Sequence, residues 1–269
     1  MLRIFAFAAL VFIGQAYNGL SVLKNVGPAD LKLTPFPHIV KFDALDRKLY
    51  EELANSFPEK FLLHLYRGQK QNTRGDLFLN NRMQKFQAHR KAPLTQQWKH
   101  FLAYHQSKTF ADELQMHFGE NFISTQTICN TLKRHPKTIS LHANIGINTP
   151  VVSESVVRGP HVDKISKYYS GLFYMRAPSD NSTGGDLQLC DKHSSLHIGA
   201  TDCSAVLVQY RANTLVIFPT SPDAMHAVTA RSITKFPRRF VNLYGAGNCR
   251  QQPPPIHERL RRRYGEAHD

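Results

Sequence analysis

Apolar residues recur every four positions through Leu45, Leu49, Leu53 and Phe57, the spacing of one buried helix face. Asp43 or Asp46 stands where a helix cap belongs, and Pro58 is expected to end the helix. Ahead of it, "TPFPHIVKFDALD" reads as a strand punctuated by prolines. Residues 61–92 are polar and basic with weak periodicity, which predicts a long loop region with one short strand at most. Pro93 and Thr95 then open a second helical region, "LTQQWKHFLAYHQSKTFADELQMHFG". Trp98, Phe101, Leu102, Leu114 and Phe118 give it an apolar face, and Gly119 marks its stop.

Beyond about residue 122 the pattern changes. Short runs rich in Val, Ile, Tyr, Phe and Leu alternate with turn residues: "TISLHANIGI", "PVVSESVV", "YSGLFYMR", "GGDLQLC", "SAVLVQY", "NTLVIFP" and "RRFVNLYG". Strands at this spacing, with no helices between them, argue for an antiparallel sandwich or barrel rather than a parallel sheet. The expected fold is mainly β with a helical N-terminal lobe at 23–121, a jelly-roll-like core at 122–248 and a basic, proline-containing tail at 249–269. Residues 1–22 form a separate apolar start.

Composition adjusts this picture in three places. The 269 residues, 42% apolar and 20% charged, suffice for one sizeable core, and no stretch reaches the roughly 18–20 apolar residues that cross a bilayer. The start, "MLRIFAFAALVFIGQAYNG", has the basic, apolar and small-residue order of a secretory signal peptide, which would route the protein to the secretory pathway. An apolar segment packed on the fold of a cytoplasmic protein is the other reading. Of four cysteines, none lie in a Cys-x-x-Cys pair, so zinc ribbons and thioredoxin-type motifs are excluded. Cys190 and Cys203 bracket a polar loop that a disulfide would close in an exported protein, two free thiols being the alternative. The formal charge of +14 allows a nucleic-acid or anionic-surface partner. A solvated basic tail is favoured instead, because no aromatics interleave with the charge.

Chemistry concentrates in "RGPHVDKISKYYSGLFYMR". His161 and Asp163 stand two apart in an extended segment, so both side chains face the same way and can share an ion. His226, opening a strand after the turn at 220–223, is the best third ligand. Two histidines and one carboxylate on one face of a metal form the facial triad of non-haem iron(II) oxygenases. Arg239 alternates with Val241 and Leu243 on the apolar face of a strand, where a buried cation requires an anion. That anion is either a ligand carboxylate or a protein acid. Arg238 is expected to lie outside. Asp191, His193 and His197 carry no fixed-spacing motif and read as a solvated insertion rather than a second metal site.

These segments, "GPHVD", "SGLFYMR", "STGGDLQL", "NTLVIFPTSPDAMHAV" and "RRFVNLYG", resemble the 2-oxoglutarate- and iron(II)-dependent oxygenases, prolyl-hydroxylase-like branch. The resemblance covers roughly residues 158–246 in the family's order. It implies a double-stranded β-helix in which His161, Asp163 and His226 hold iron, and Arg239 binds the distal carboxylate of 2-oxoglutarate with help from Tyr174. The implied cofactors are Fe(II), 2-oxoglutarate and O2, with ascorbate as an accessory reductant. The implied reaction is hydroxylation of a C–H bond on an unidentified primary substrate, coupled to decarboxylation of 2-oxoglutarate to succinate. A cupin-like metalloenzyme that uses no keto acid, and a non-catalytic basic binding module, are the competing readings. Fold analogy leaves the substrate open among peptide, amino acid, metabolite and nucleobase.

Overall fold

The computed structural model describes residues 19–78, 92–119, 137–164, 167–191 and 203–248. The signal-peptide segment, the basic tail, Cys129, Cys249, His193 and His197 lie outside the described residues, as do parts of the 61–92 region.

A two-residue strand β1 (Leu31–Lys32) pairs with β2 (His38–Phe42), the strand expected from the proline-punctuated run. Helix α1 (Arg47–Asn55) follows, with Asp46 as its cap: the carboxylate accepts from the Lys48 N–H at 3.0 Å. Pro58 ends this helix and at once caps another, α2 (Glu59–Leu65), where a long loop was expected. The Pro58 carbonyl accepts from Leu62 N–H at 3.0 Å, and a proline at a helix start loses nothing by lacking an N–H. The short strand of this region is β3 (Arg74–Phe78). The second helical region is two helices, α3 (Gln96–His105) and α4 (Lys108–Phe118). Thr95 caps the first, and Ser107, inside what reads as one continuous pattern, caps the second by accepting from Phe110 N–H. Among the described residues, no helix is long and apolar enough to cross a membrane.

The β core comprises β4 (Lys137–Asn148), β5 (Lys167–Tyr174), β6 (Leu187–Cys190), β7 (Ser204–Val208), β8 (Thr214–Pro219), β9 (His226–Val228) and β10 (Arg238–Asn248). A large antiparallel sheet runs β1-β2-β8-β5-β10-β4-β3, and a small one runs β7-β6-β9. Isolated bridges Val151↔Thr234, Ser155↔Arg231 and His161↔His226 lay residues 151–161 along β9 and the chain after it. From β4 to β10 the chain therefore passes repeatedly between a large and a small sheet, which makes the core a double-stranded β-helix, or jelly roll. The expected strand "PVVSESVV" survives only as these bridges. A disulfide joins Cys190 on β6 to Cys203 just before β7.

Both faces of the large sheet are covered. Ile145, Ile147, Tyr169, Phe173, Ile217, Val241 and Leu243 pack with Trp98, Phe101, Leu102, Phe110 and Leu114 of α3 and α4. Residues one position out of step, Tyr174, Val216, Phe218 and Phe240, pack with Leu187, Leu189 and Val208 of the small sheet. The period-two alternation of each strand feeds two separate interiors.

His105 is fully buried in the helical layer. Its Nδ1–H donates to Phe101 O at 2.8 Å, its Nε2 accepts from Val22 N–H at 3.3 Å, and its ring packs on Phe101 and Phe110. Burial pushes its pKa down to about 4 from an ordinary 6.5. The unfolded chain thus takes up a proton that the folded one refuses. The ring's contribution is whole above the unfolded value and drains as pH falls from about 6.5 towards about 4, amounting to about 3 kcal/mol. Urea-unfolding midpoints measured across that window should decline in the wild type and decline less steeply in His105→Met, in which other buried histidines still titrate.

Candidate metal centre and cleft

His161 and His226 are a paired couple between the 151–161 segment and β9. Each main-chain N–H donates to the other's carbonyl, at 3.0 and 2.9 Å, and the ring centroids stand 4.2 Å apart. Each ring is oriented by a carbonyl two residues back. His161 Nδ1–H donates to Gly159 O at 2.8 Å, and His226 Nδ1–H donates to Ala224 O at 3.0 Å. A carbonyl can only accept, so the proton is fixed on Nδ1 and the Nε2 lone pair is left for a ligand. Burial lowers both pKa values, His161 below its ordinary range and His226 to about 4, so the imidazoles are neutral, the form that ligates.

Asp163 completes the group: one ligand atom from each of the three residues lies within 4.8 Å of the others. Its carboxylate accepts from Ser170 Oγ of β5 at 2.5 Å and pairs with Lys167 Nζ at 3.0 Å. Burial opposes its ionisation, but Lys167, the Ser170 hydroxyl and His226 outweigh it, and the pKa falls below the ordinary value. Two neutral imidazoles and an ionised carboxylate, each held by a second partner, are a donor set that fits a divalent first-row metal with positions left open.

The group lines a cleft of ≈230 Å³ between the two sheets, walled by Leu172, Leu187, Phe218 and Val228. Arg238 also lines it, 2% exposed. Its Nε donates to Gly185 O at 2.7 Å, Nη2 to the Tyr174 hydroxyl at 3.0 Å and Nη1 to Asn148 Oδ1 at 3.4 Å. All three partners are neutral, and among the described residues no carboxylate forms an ion pair with Arg238. Asn148 Nδ2, also on the cleft wall, has no partner among the described residues. A buried guanidinium with no anion is costly, and it marks where a ligand carboxylate fits. Tyr174 is fully buried, and burial raises its pKa, so its neutral oxygen accepts from Arg238. The Gly185 carbonyl that holds Arg238 comes from main chain that only glycine adopts readily. Gly184 and Gly185 have φ of +75° and +77°, and a Cβ on Gly184 would fall 1.7 Å from Ala230 O.

The cleft-side arginine is thus one residue from the expected position. Arg239 points to the opposite face of β10 and pairs with Glu59 of α2, the protein acid that stood as the alternative. The alternation along β10 holds as read, with 239, 241 and 243 on one side. The more apolar side is the one beneath the helices, however, and the cleft side carries Arg238, Phe240 and Asn242. His161, Asp163, His226 and Tyr174 lie where one cleft and its floor bring them together. Ser170, Lys167 and Asn148 went unread. Ser170 and Tyr174 share the parity of β5, a signal the sequence does contain. Asp191 is described without its two histidines.

No family model matches the chain, and no curated protein matches it in sequence. Solved structures to which it is similar include a prolyl-4-hydroxylase of Pseudomonas putida, at 14% identity over 80% of this chain and 94% of that one, TM-score 0.47. They include prolyl 4-hydroxylases from Phytophthora capsici, at 14% over 91% and 74%, TM-score 0.49. A third is the Arabidopsis thaliana dioxygenase for auxin oxidation with 2-oxoglutarate, at 13% over 81% and 87%, TM-score 0.44. Similarities of this size leave the chemistry of the cleft to its own residues.

Removing the Ser170 hydroxyl should free Asp163 to rotate. Mn(II) titration followed by electron paramagnetic resonance should find affinity reduced roughly 10- to 100-fold in Ser170→Ala, with the fold intact by circular dichroism.

Proposed function

We propose that the protein is a 2-oxoglutarate- and iron(II)-dependent oxygenase that hydroxylates a C–H bond of a peptidyl or small-molecule substrate. In this reading 2-oxoglutarate is decarboxylated to succinate and CO2. The observation that carries it is the pairing, in one cleft, of a two-histidine, one-carboxylate group with a buried arginine that has no anion among the described residues. His161, Asp163 and His226 would hold iron on one face. Arg238 would clamp the distal carboxylate of 2-oxoglutarate bidentately, with Tyr174 fixing the guanidinium from behind. Iron with the keto acid and O2 supplies the oxidising chemistry when bound. The chain's part is to orient the reactants and to exclude water with Leu172, Leu187, Phe218 and Val228.

The same arginine weighs against a keto-acid-independent metalloenzyme, in which it would need a protein acid. The basic binding module rests on the tail, which lies outside the described residues.

Anaerobically iron-loaded protein, given 2-oxoglutarate and then O2, should form succinate even without its primary substrate. Asp163→Ala and Arg238→Gln should each reduce that rate at least about 100-fold, the scale of losing an electrostatic anchor. Arg239→Gln should keep it within about threefold, since Arg239 serves the helix contact. Bound iron with no succinate and no 2-oxoglutarate affinity in the wild type would overturn the reading.

A further inference from the structure

The charges around the metal group do not balance, and the imbalance points to the primary substrate. Among the described residues, four basic side chains line the cleft, Arg74, Arg158, Lys167 and Arg238, against the one carboxylate of Asp163. Arg74 is answered by Asp76, with contacts of 2.9 and 3.2 Å. Arg238 is answered, in the reading above, by the keto acid. Arg158 and Lys167 remain. The one described anion either of them meets is Asp163, at 4.0 Å from Arg158 Nη1 and 3.0 Å from Lys167 Nζ.

Once Asp163 binds a divalent ion its charge is committed, and both cations then face added positive charge. The keto acid's chelating carboxylate offsets one unit of the metal's charge and its distal carboxylate is taken by Arg238, so neither is free for this pair. Lys167 is held over the Tyr244 ring, 5.3 Å from its centroid, with Ser170 Oγ at 3.4 Å. Arg158 sits across the mouth on the 151–161 segment, exposed. Both cations line the cleft that holds the metal group, each within 4.0 Å of Asp163.

We propose that Arg158 and Lys167 form an anion-recognising pair for the primary substrate, which carries a carboxylate or phosphate close to the reacting C–H bond. This rests on the oxygenase reading and names its substrate class. The anion replaces Asp163 as the partner of both cations, and Tyr244 provides the surface along which Lys167 moves. Such a pair contributes both attraction at a distance and rejection of basic substrates.

The test uses full-length protein loaded with Mn(II) and 2-oxoglutarate without O2, so that no turnover intervenes. Loading is read first by electron paramagnetic resonance and calorimetry. Failure to bind 2-oxoglutarate overturns the oxygenase reading and this proposal with it. With loading established, three probes are titrated calorimetrically: the blocked pentapeptide Ala-Ala-Asp-Ala-Ala, its Asn counterpart, and inorganic phosphate. The Asp peptide is expected to bind about tenfold more tightly than the Asn peptide at low salt, with the difference shrinking as salt rises. Tight phosphate binding with a weak Asp peptide would point to a small free anion instead of a peptide-borne acid. In Arg158→Gln, with the fold and loading retained, and in Lys167→Gln, compared at saturating Mn(II) because Lys167 also holds Asp163, the preference should fall about threefold or more each. Equal binding of the Asp and Asn peptides together with no phosphate binding, or an undiminished preference in both variants, would overturn the anion site while leaving the oxygenase reading intact.

Discussion

Everything in this fold depends on a sheet that has no wet face. The large sheet is buried under helices on one side and under the small sheet on the other, so every central residue of β5, β8 and β10 is committed to one of two interiors. Neighbouring arginines on β10 make the consequence concrete. Arg239 is drawn to Glu59 in the helical layer, and Arg238, one step along, is drawn into the cleft. A shift of one residue in register would exchange them and dismantle both sites together.

The metal group relies on main-chain geometry as much as on side chains. His161 and His226 are neighbours because their own peptide groups exchange hydrogen bonds, and each imidazole is aimed by a carbonyl two residues away. Asp163 is aimed from a different strand, by Ser170 and Lys167. Two pieces of chain remote in sequence, one carrying His161 and Asp163 and the other His226, thus supply the donors, and β5 steadies one of them. The sheet that carries Ser170 also carries Tyr174 and so the orientation of Arg238. The Asp163 carboxylate and the Arg238 guanidinium are thus each held by a side chain of the same strand, β5.

Much of this was legible in the sequence because it follows from local periodicity. The i, i+2 spacing of His161 and Asp163, the every-fourth-residue stripe of α1 and the alternation of β10 are short-range patterns that tertiary context does not alter. What escaped was the identity of the layer behind each face. Apolar content suggested that Val241 and Leu243 mark the cleft side, whereas a functional cleft tolerates polar lining and the helical interior does not. The division of α3 from α4 escaped for a related reason. Ser107 is a cap only because the chain turns there, and within a continuous apolar stripe it looks like one more polar position. The helix after Pro58 was hidden by a residue that both stops one helix and starts the next.

The main chain beside Arg238 has a consequence for how this cleft can change. The Gly185 carbonyl holds the guanidinium, both Gly184 and Gly185 have positive φ, and Gly184 abuts Ala230 too closely to accept any side chain. Substitution can take Tyr174 or Asn148 away from the guanidinium, but it cannot take away a carbonyl. One of the arginine's three anchors is therefore written in the backbone, and only the other two are open to point mutation.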